Sequence, residues 1–359
     1  MRTKIFFQLL RYSIGASDIF PQGISPEEWV EMHDIALQQS LLGVVFYGME
    51  KNAALQIDKP LLLRWYAETE QIKQRNQRLD EATVVMFQQM ERDGFSACVL
   101  KGQGNTFLYP NRAIRTPGDI DIWLLADRDS IYKYVRKEFP KTEMLYHHLE
   151  YPALNDVMTE IHFFPMFLNN PLYNRRFQKW VKRMTADNHL VYVENEFGRY
   201  RIPSIDFNIV YQLSHIRHHF FDEGIGLRQM VDYFFLLRAK GGDNGAMTDS
   251  LKYLGLWKFA GAVMWMMKEC LGLDERCLVA PPNQRLGQML LDEVLMTGNF
   301  GQYDVRYGNL KGKSRLVRIG GLFKKNFKFL IYYPDDVICG ILFRAIGQPL
   351  WRLWYMRNR

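Results

Sequence analysis

Apolar residues change their spacing several times along this 359-residue chain, and each change predicts a different element. Ile5, Leu9, Leu10 and Ile14 recur at helical intervals, so the first sixteen residues predict an amphipathic helix. Ser25-Pro26-Glu27-Glu28 is a capping box, with Ser25 at the N-cap, Pro26 at the first helical position and Glu28 able to reach back. A helix to about Gln39 follows, and further helices are expected over about Lys59 to Lys73 and about Asn76 to Glu91, the second ending near Asp93-Gly94. After Gly94 the pattern shortens. Phe95 to Leu100 is an apolar strand stopped by Lys101-Gly102-Gln103-Gly104, with a turn and short helix to about Tyr109-Pro110. Asp119 to Leu125 alternates and then turns wholly apolar, as a strand does when one end opens onto a site. A helix over Asp127 to Phe139 leads to a third strand around Val157 to Phe164, whose alternation puts Glu160 and His162 on one face. A short helix, a hairpin of Leu190 to Glu194 with Tyr200 to Ile202, and helices to about Leu295 come next. Gly298 to Gly312, rich in Gly, Asn and Tyr, predicts a linker or exposed loop, and no internal repeat is present.

Composition narrows the class without naming a function. Hydrophobic residues make up 48% and charged residues 24%, as in an ordinary folded protein, and the length suits more than one domain. Cys98, Cys270, Cys277 and Cys339 show no CxxC spacing, which predicts buried thiols in a reducing compartment. Gln8 and Arg11 interrupt any signal-peptide core, and no run reaches the roughly 18 to 20 apolar residues that span a bilayer, so a cytoplasmic location is expected. The net charge is +7, but residues 311 to 359 hold eleven Lys and Arg against two acidic residues, Asp335 and Asp336. That tail carries the excess, so a basic nucleic-acid groove through the body is not expected.

The candidate chemistry lies between the strands. With a period of two, Asp119 and Asp121 project from one face about 7 Å apart while Ile120 and Ile122 anchor the other. Two hard oxygen ligands at one point suit Mg2+ held against substrate phosphates, and Glu160 is the best-placed third carboxylate for a second ion. Lys101-Gly102 stands where a strand ends and a helix begins, where backbone amides and a lysine can meet phosphate oxygens. Arg115 has the planar fork that matches phosphate. Alone, a DxD on a strand is more often a loop cap and Lys-Gly a plain turn; their order within one strand-helix-strand segment is the signal.

Lys101-Gly102, Leu108-Tyr109-Pro110, Arg115, Gly118-Asp119-Ile120-Asp121 and Glu160-Ile161-His162 resemble the motif series of the uncharacterised nucleotidyltransferase family, within the polymerase-beta-like superfamily. The resemblance covers about residues 80 to 240. It implies an α+β fold, a mixed sheet flanked by helices, with additional helical N-terminal and C-terminal regions. The corresponding division is 1–79, a helical region; 80–203, the nucleotidyltransferase-like core; 204–297, a helical region; and 298–359, a linker with basic aromatic helices. It implies NMP transfer from an NTP, ATP being the expected donor, with Mg2+ or Mn2+ on Asp119, Asp121 and Glu160. Lys101, Gly102, Gln103, Arg115, Gly118 and His162 are then the nucleotide and phosphate set. Where the superfamily has Gly-Ser or Gly-Gly, this chain has Gly102-Gln103 and so lacks a small hydroxyl.

The helical stretch Tyr211 to His219, followed by Gly226-Leu227-Arg228-Gln229-Met230-Val231-Asp232, also resembles that family and makes His215, His219, Arg228 and Asp232 candidates for the pocket. Arg228 and Asp232, four apart, equally suit a plain salt bridge. His215, His218 and His219 have helical spacing but no HExxH pattern or cysteine partners, so packing outweighs zinc. The leading reading is a metal-dependent transferase acting on a hydroxyl-type acceptor of a small molecule or protein. A catalytically inactive nucleotide-binding or regulatory module of the same fold is the alternative, and a nucleic-acid enzyme ranks third. In the tail, Phe323, Phe327, Leu330 and Ile331 fall on one helical stripe beside Lys324, Lys325 and Lys328. Docking on the protein itself is the plainer expectation for that stripe, and peripheral contact with an anionic membrane the sharper one.

Overall fold

The computed structural model describes residues 2–52, 55–153, 157–242, 244–306 and 314–357. Three helices open the chain, α1 (Arg2–Ser13), α2 (Pro26–Gln38) and α3 (Leu42–Glu50). The capping box forms as the sequence requires: the Glu28 amide donates to Ser25 Oγ at 3.2 Å, and the Ser25 amide to the Glu28 carboxylate at 2.9 Å. The two helices expected between Lys59 and Glu91 are one, α4 (Lys59–Arg92), 34 residues long. The polar interruption at Asn76 does not break it, because the buried Asn76 Nδ2 donates to the Ala113 and Arg115 carbonyls at 2.8 and 2.6 Å.

The α/β segment follows: β1 (Ala97–Leu100), α5 (Gly102–Thr106), β2 (Ile120–Leu124), α6 (Arg128–Glu138), β3 (His148–Glu150) and β4 (Thr159–His162). The sheet order is β1-β2-β4-β3, with β2 and β4 parallel and both outer pairs antiparallel. Three residues are too few to show a period, so β3 was not expected from sequence; it pairs His148 with His162. Register decides the site. Asp121 stands opposite Glu160 on the parallel neighbour, and Leu100 opposite Asp121 on the antiparallel one. The end of β1 therefore delivers Lys101 to the two carboxylates.

After β4 come α7 (Pro171–Ala186), the hairpin β5 (Leu190–Asn195) and β6 (Gly198–Pro203), then α8 (Ile205–Asp222), α9 (Leu227–Lys240), α10 (Gly245–Tyr253), α11 (Trp257–Glu269) and α12 (Gln284–Thr297). Ile120, Ile122, Leu124 and Ile161 close one face of the sheet with Phe87 of α4 and Ile131 and Val135 of α6. Trp123 turns to the other face, 6.3 Å from the Phe207 ring of α8, within a larger core that joins the N-terminal helices, α8 to α12 and part of the tail. The stretch expected as a linker packs on the body as far as it is described: Arg306 holds Glu293 through both guanidinium nitrogens at 2.8 Å, and the Phe300 ring lies 5.4 Å from His219. Its remainder, 307 to 312, lies outside the described residues. All four cysteines are free thiols.

The tail forms α13 (Arg315–Asn326), α14 (Pro334–Leu342) and α15 (Gln348–Arg357), the last two joined by a π-helical turn. It docks on the body, though through different residues from those expected. Phe329 and Tyr333 pack against Phe220, Phe221 and Phe259, and Arg217 pairs with Asp336 at 2.7 Å. Phe323, Phe327 and Ile331 of the expected stripe remain exposed. No helix among the described residues is long and apolar enough to cross a membrane.

Candidate active site

Two sheet neighbours and one loop residue bring three carboxylates together. Asp119, just ahead of β2, Asp121 within it and Glu160 on β4 each offer an oxygen, and these oxygens all lie within 4.8 Å of one another. Asp121 is 2% exposed, while the other two open toward solvent. Packing three anions this closely requires positive charge, and two groups supply it. Lys101 Nζ lies 3.0 Å from Asp121 Oδ1, and His162 Nε2 lies 2.8 Å from the same oxygen and 3.3 Å from Glu160 Oε2.

The titration shifts follow from this crowding. Burial alone would raise the Asp121 pKa, but the Lys101 charge and the His162 hydrogen bond hold it below its ordinary value. Glu160 is likewise lowered against burial, chiefly by His162. Burial would lower the His162 pKa, yet its bonds to Asp121 and Glu160 raise it to about 9. His148, 3.4 Å from Glu160, is pushed down to about 4, with burial the main cause. A cluster of oxygen ligands that leans on a lysine and an imidazolium for neutrality fits a divalent cation of the hard, oxygen-preferring class.

The β1–α5 turn is strained where it meets this cluster. Lys101 is a non-glycine residue at φ +48°, and Gly102 follows at φ +29°. A Cβ on Gly102 would meet the Asp119 carbonyl oxygen at 3.4 Å. Such backbone persists when its surroundings over-determine it, and it concentrates at functional sites. Here it aims the lysine at Asp121.

A pocket opens from the carboxylates toward α8 and α9, lined by Lys101, Gly102, Gly118, Asp119, Asp121, His215, Arg228 and Asp232 among others. These were all named from sequence. Arg115 also borders it, but its fork is engaged: Nε and Nη2 donate to the two oxygens of Asp232 at 2.8 Å each, and Tyr109 adds its hydroxyl at 2.6 Å. The phosphate clamp expected of Arg115 is therefore occupied by a carboxylate, and the Arg228–Asp232 salt bridge does not form. Instead Arg228 Nη1 donates to the Thr116 carbonyl at 3.0 Å, its Nη atoms lie 3.6 and 4.0 Å from the Cβ position of Gly118, and among the described residues no carboxylate pairs with it. Burial, with Arg115 beside it, lowers its pKa to about 10, so it remains charged at neutral pH.

Three other candidates sit elsewhere than expected. The Gln103 side chain is buried and donates to Asp80 at 2.7 Å, behind the turn, because α5 rotates it toward α4. His162 lies beneath the carboxylates rather than on the pocket wall. His219 stands one layer back, its ring 4.2 Å from His215, which in turn accepts from Lys101 Nζ at 3.1 Å. His215, His218 and His219 do not converge as a metal set among the described residues. Sequence reasoning passed over Asn105 and Gln212, which exchange hydrogen bonds at 3.1 and 2.5 Å on the pocket wall, and Phe300, which closes one side. Asn105, three residues past Gly102, and Gln212, within the Tyr211 to His219 stretch, did carry a signal, whereas Phe300 arrives from a 3-10 turn in the stretch expected as a linker.

The model of a family described as uncharacterised nucleotidyltransferase matches residues 25–272. No curated protein matches the chain. Among solved structures, an antigenic nucleotidyltransferase-like protein from Paracoccidioides brasiliensis is similar at 11% identity and a TM-score of 0.35, over 58% of this chain and 97% of that one.

Proposed function

This chain belongs to the uncharacterised nucleotidyltransferase family, and from that premise we propose that it transfers a nucleoside monophosphate from an NTP to a hydroxyl-type acceptor on a small molecule or protein. ATP is the expected donor. One observation carries the reading: three carboxylate oxygens lie within 4.8 Å of one another, and two of their residues, Asp119 and Asp121, border the pocket that also holds Lys101 and Arg228, a buried guanidinium without a salt-bridge partner. Anionic ligands on one wall and a cation without a salt-bridge partner on another suit a metal-bound triphosphate, which carries both charges.

Asp119, Asp121 and Glu160 are the proposed ligands of Mg2+ or Mn2+. Divalent ions, when bound there, neutralise the phosphates and activate the attacking oxygen. His162 orients two of the carboxylates from beneath. Lys101, fixed by its strained turn, and Arg228 hold phosphate oxygens, with Gly102 keeping the turn free of a side chain. The Arg115–Asp232 pair positions Arg228 indirectly, since Arg115 keeps Asp232 from it.

The test is pyrophosphate release from each NTP with Mg2+ or Mn2+, with small-molecule and protein acceptors. Parent protein is expected to release pyrophosphate only with metal, and Asp119→Asn and Asp121→Asn to abolish release while leaving the unfolding transition in place. Nucleotide binding without release under any condition would make the chain a regulatory module instead, and variants as active as the parent would reject the site.

A further inference from the structure

Helix α13 is amphipathic the wrong way round for a helix packed on a protein. At 3.6 residues per turn, Leu316, Gly320, Phe323 and Phe327 lie along one line, and all four are exposed. The opposite side carries Lys325 and Asn326, which are buried. These polar residues have partners in the body: Asn326 Nδ2 donates to the Phe221 carbonyl at 2.5 Å and Lys325 Nζ to the Asp222 carbonyl at 3.4 Å, both at the end of α8. The orientation is thus fixed by the polar side, and the apolar side is left outward.

The same division continues through α14 and α15. Val337, Gly340, Trp351 and Tyr355 turn inward, with Trp351 5.4 Å from Tyr146 and Tyr355 5.6 Å from Tyr132. Ile338, Leu342, Ile346, Leu350 and Leu353 share the other side, each about half exposed or more. Ile331, between the two helical stretches, is 85% exposed. Exposed apolar residues arranged this regularly on neighbouring helices mark an interaction surface.

Charge selects the partner. Arg315, Arg318 and Lys324 are exposed on α13, while Lys328 and Arg352, also exposed, pair with Glu293 and Glu143 of the body. Of the two acidic residues in the tail, Asp336 is directed inward to Arg217. In a symmetric pair of this chain the patch would meet its own copy, setting basic residues against basic residues. An anionic lipid surface answers both features, because headgroups meet the cations while the apolar row enters the interface. We propose that α13 to α15 dock this protein on anionic bilayers, with Phe323, Phe327 and Ile331 entering the interfacial layer. No described helix is long and apolar enough to cross the bilayer, so the contact proposed is peripheral.

Co-sedimentation of the full-length protein with phosphatidylcholine vesicles, with and without phosphatidylglycerol, tests this. Binding is expected with phosphatidylglycerol, weakening as salt is added, and little with phosphatidylcholine alone. Phe323→Asp combined with Phe327→Asp and Ile331→Asp should reduce it at least about tenfold, with circular dichroism and the unfolding midpoint unchanged. Lys324→Glu with Arg318→Glu should do so as well without touching the apolar row. Failure of the parent to sediment with either vesicle overturns the proposal. So does a concentration-dependent dimer, measured by analytical ultracentrifugation, that the Asp variant dissolves; the surface would then belong to a second copy.

Discussion

Exchanging the roles sequence suggests for Arg115 and Arg228 gives the sharpest check on the site, because methionine at the two positions should fail in opposite ways. Arg115→Met leaves Asp232 buried without its bidentate partner, at 4% exposure and with only Tyr109 donating. Removing one member of a buried ion pair costs about 3–5 kcal/mol. Arg228→Met removes one charge-assisted hydrogen bond to the Thr116 carbonyl and, offsetting it, the cost of burying a cation without a salt-bridge partner, so stability should change by no more than about 1 kcal/mol. Its loss should appear in ligand binding. Charge-assisted hydrogen bonds contribute about 1.5–3 kcal/mol, which corresponds to a fall in NTP affinity of roughly 10- to 150-fold.

Urea unfolding and calorimetric titration of each NTP separate the two outcomes, and acid adds a third reading. Burial raises the Asp232 pKa, and the charge and hydrogen bond of Arg115 outweigh it to give a net lowering. A depressed folded-state pKa means the contribution is complete above the unfolded carboxyl value of about 3.9 and is lost as pH falls through the folded value. The stability gap between parent and Arg115→Met should therefore narrow below about pH 4. If Arg115→Met unfolds like the parent and loses NTP affinity as Arg228→Met does, the assignment of the two guanidinium groups is wrong.

Glu160→Gln should lower kcat at least about tenfold with little change in KM, since it removes a ligand that matters to the reacting phosphate more than to ground-state binding; steady-state kinetics with unchanged kcat would remove Glu160 from the site. Gly102→Ala forces an L side chain into φ +29° with its Cβ 3.4 Å from the Asp119 carbonyl, so a destabilisation of about 1–2 kcal/mol and a marked loss of turnover are expected, and a variant as stable and active as the parent would show that the turn carries no functional strain.

The carboxylates were legible in the sequence because a strand fixes alternate residues to one face, and register then needed only one neighbour to place Glu160 beside Asp121. Lys101 was legible for the same reason, as the residue that ends an adjacent strand. The guanidinium groups were not. Which of Arg115 and Arg228 takes Asp232 depends on how α9 seats against the loop before β2, a contact over 117 positions that no local period encodes. Gln103 fails similarly: its place after Gly102 looks like the pocket, but a five-residue helix turns it to Asp80.

The tail extends this point from single residues to a surface. A row of Phe323 and Phe327 on one side of a helix states only that something apolar covers it, and the simplest candidate is the chain's own core. That default fails here because α8 ends in carbonyls of Phe221 and Asp222 that need donors, and Asn326 and Lys325 of α13 supply them. Unpaired buried carbonyls would be costlier than exposed aromatics, which lose only burial they could have gained. Polar satisfaction thus sets the orientation of α13, and hydrophobicity accommodates it by facing outward, where an anionic interface can supply the missing cover.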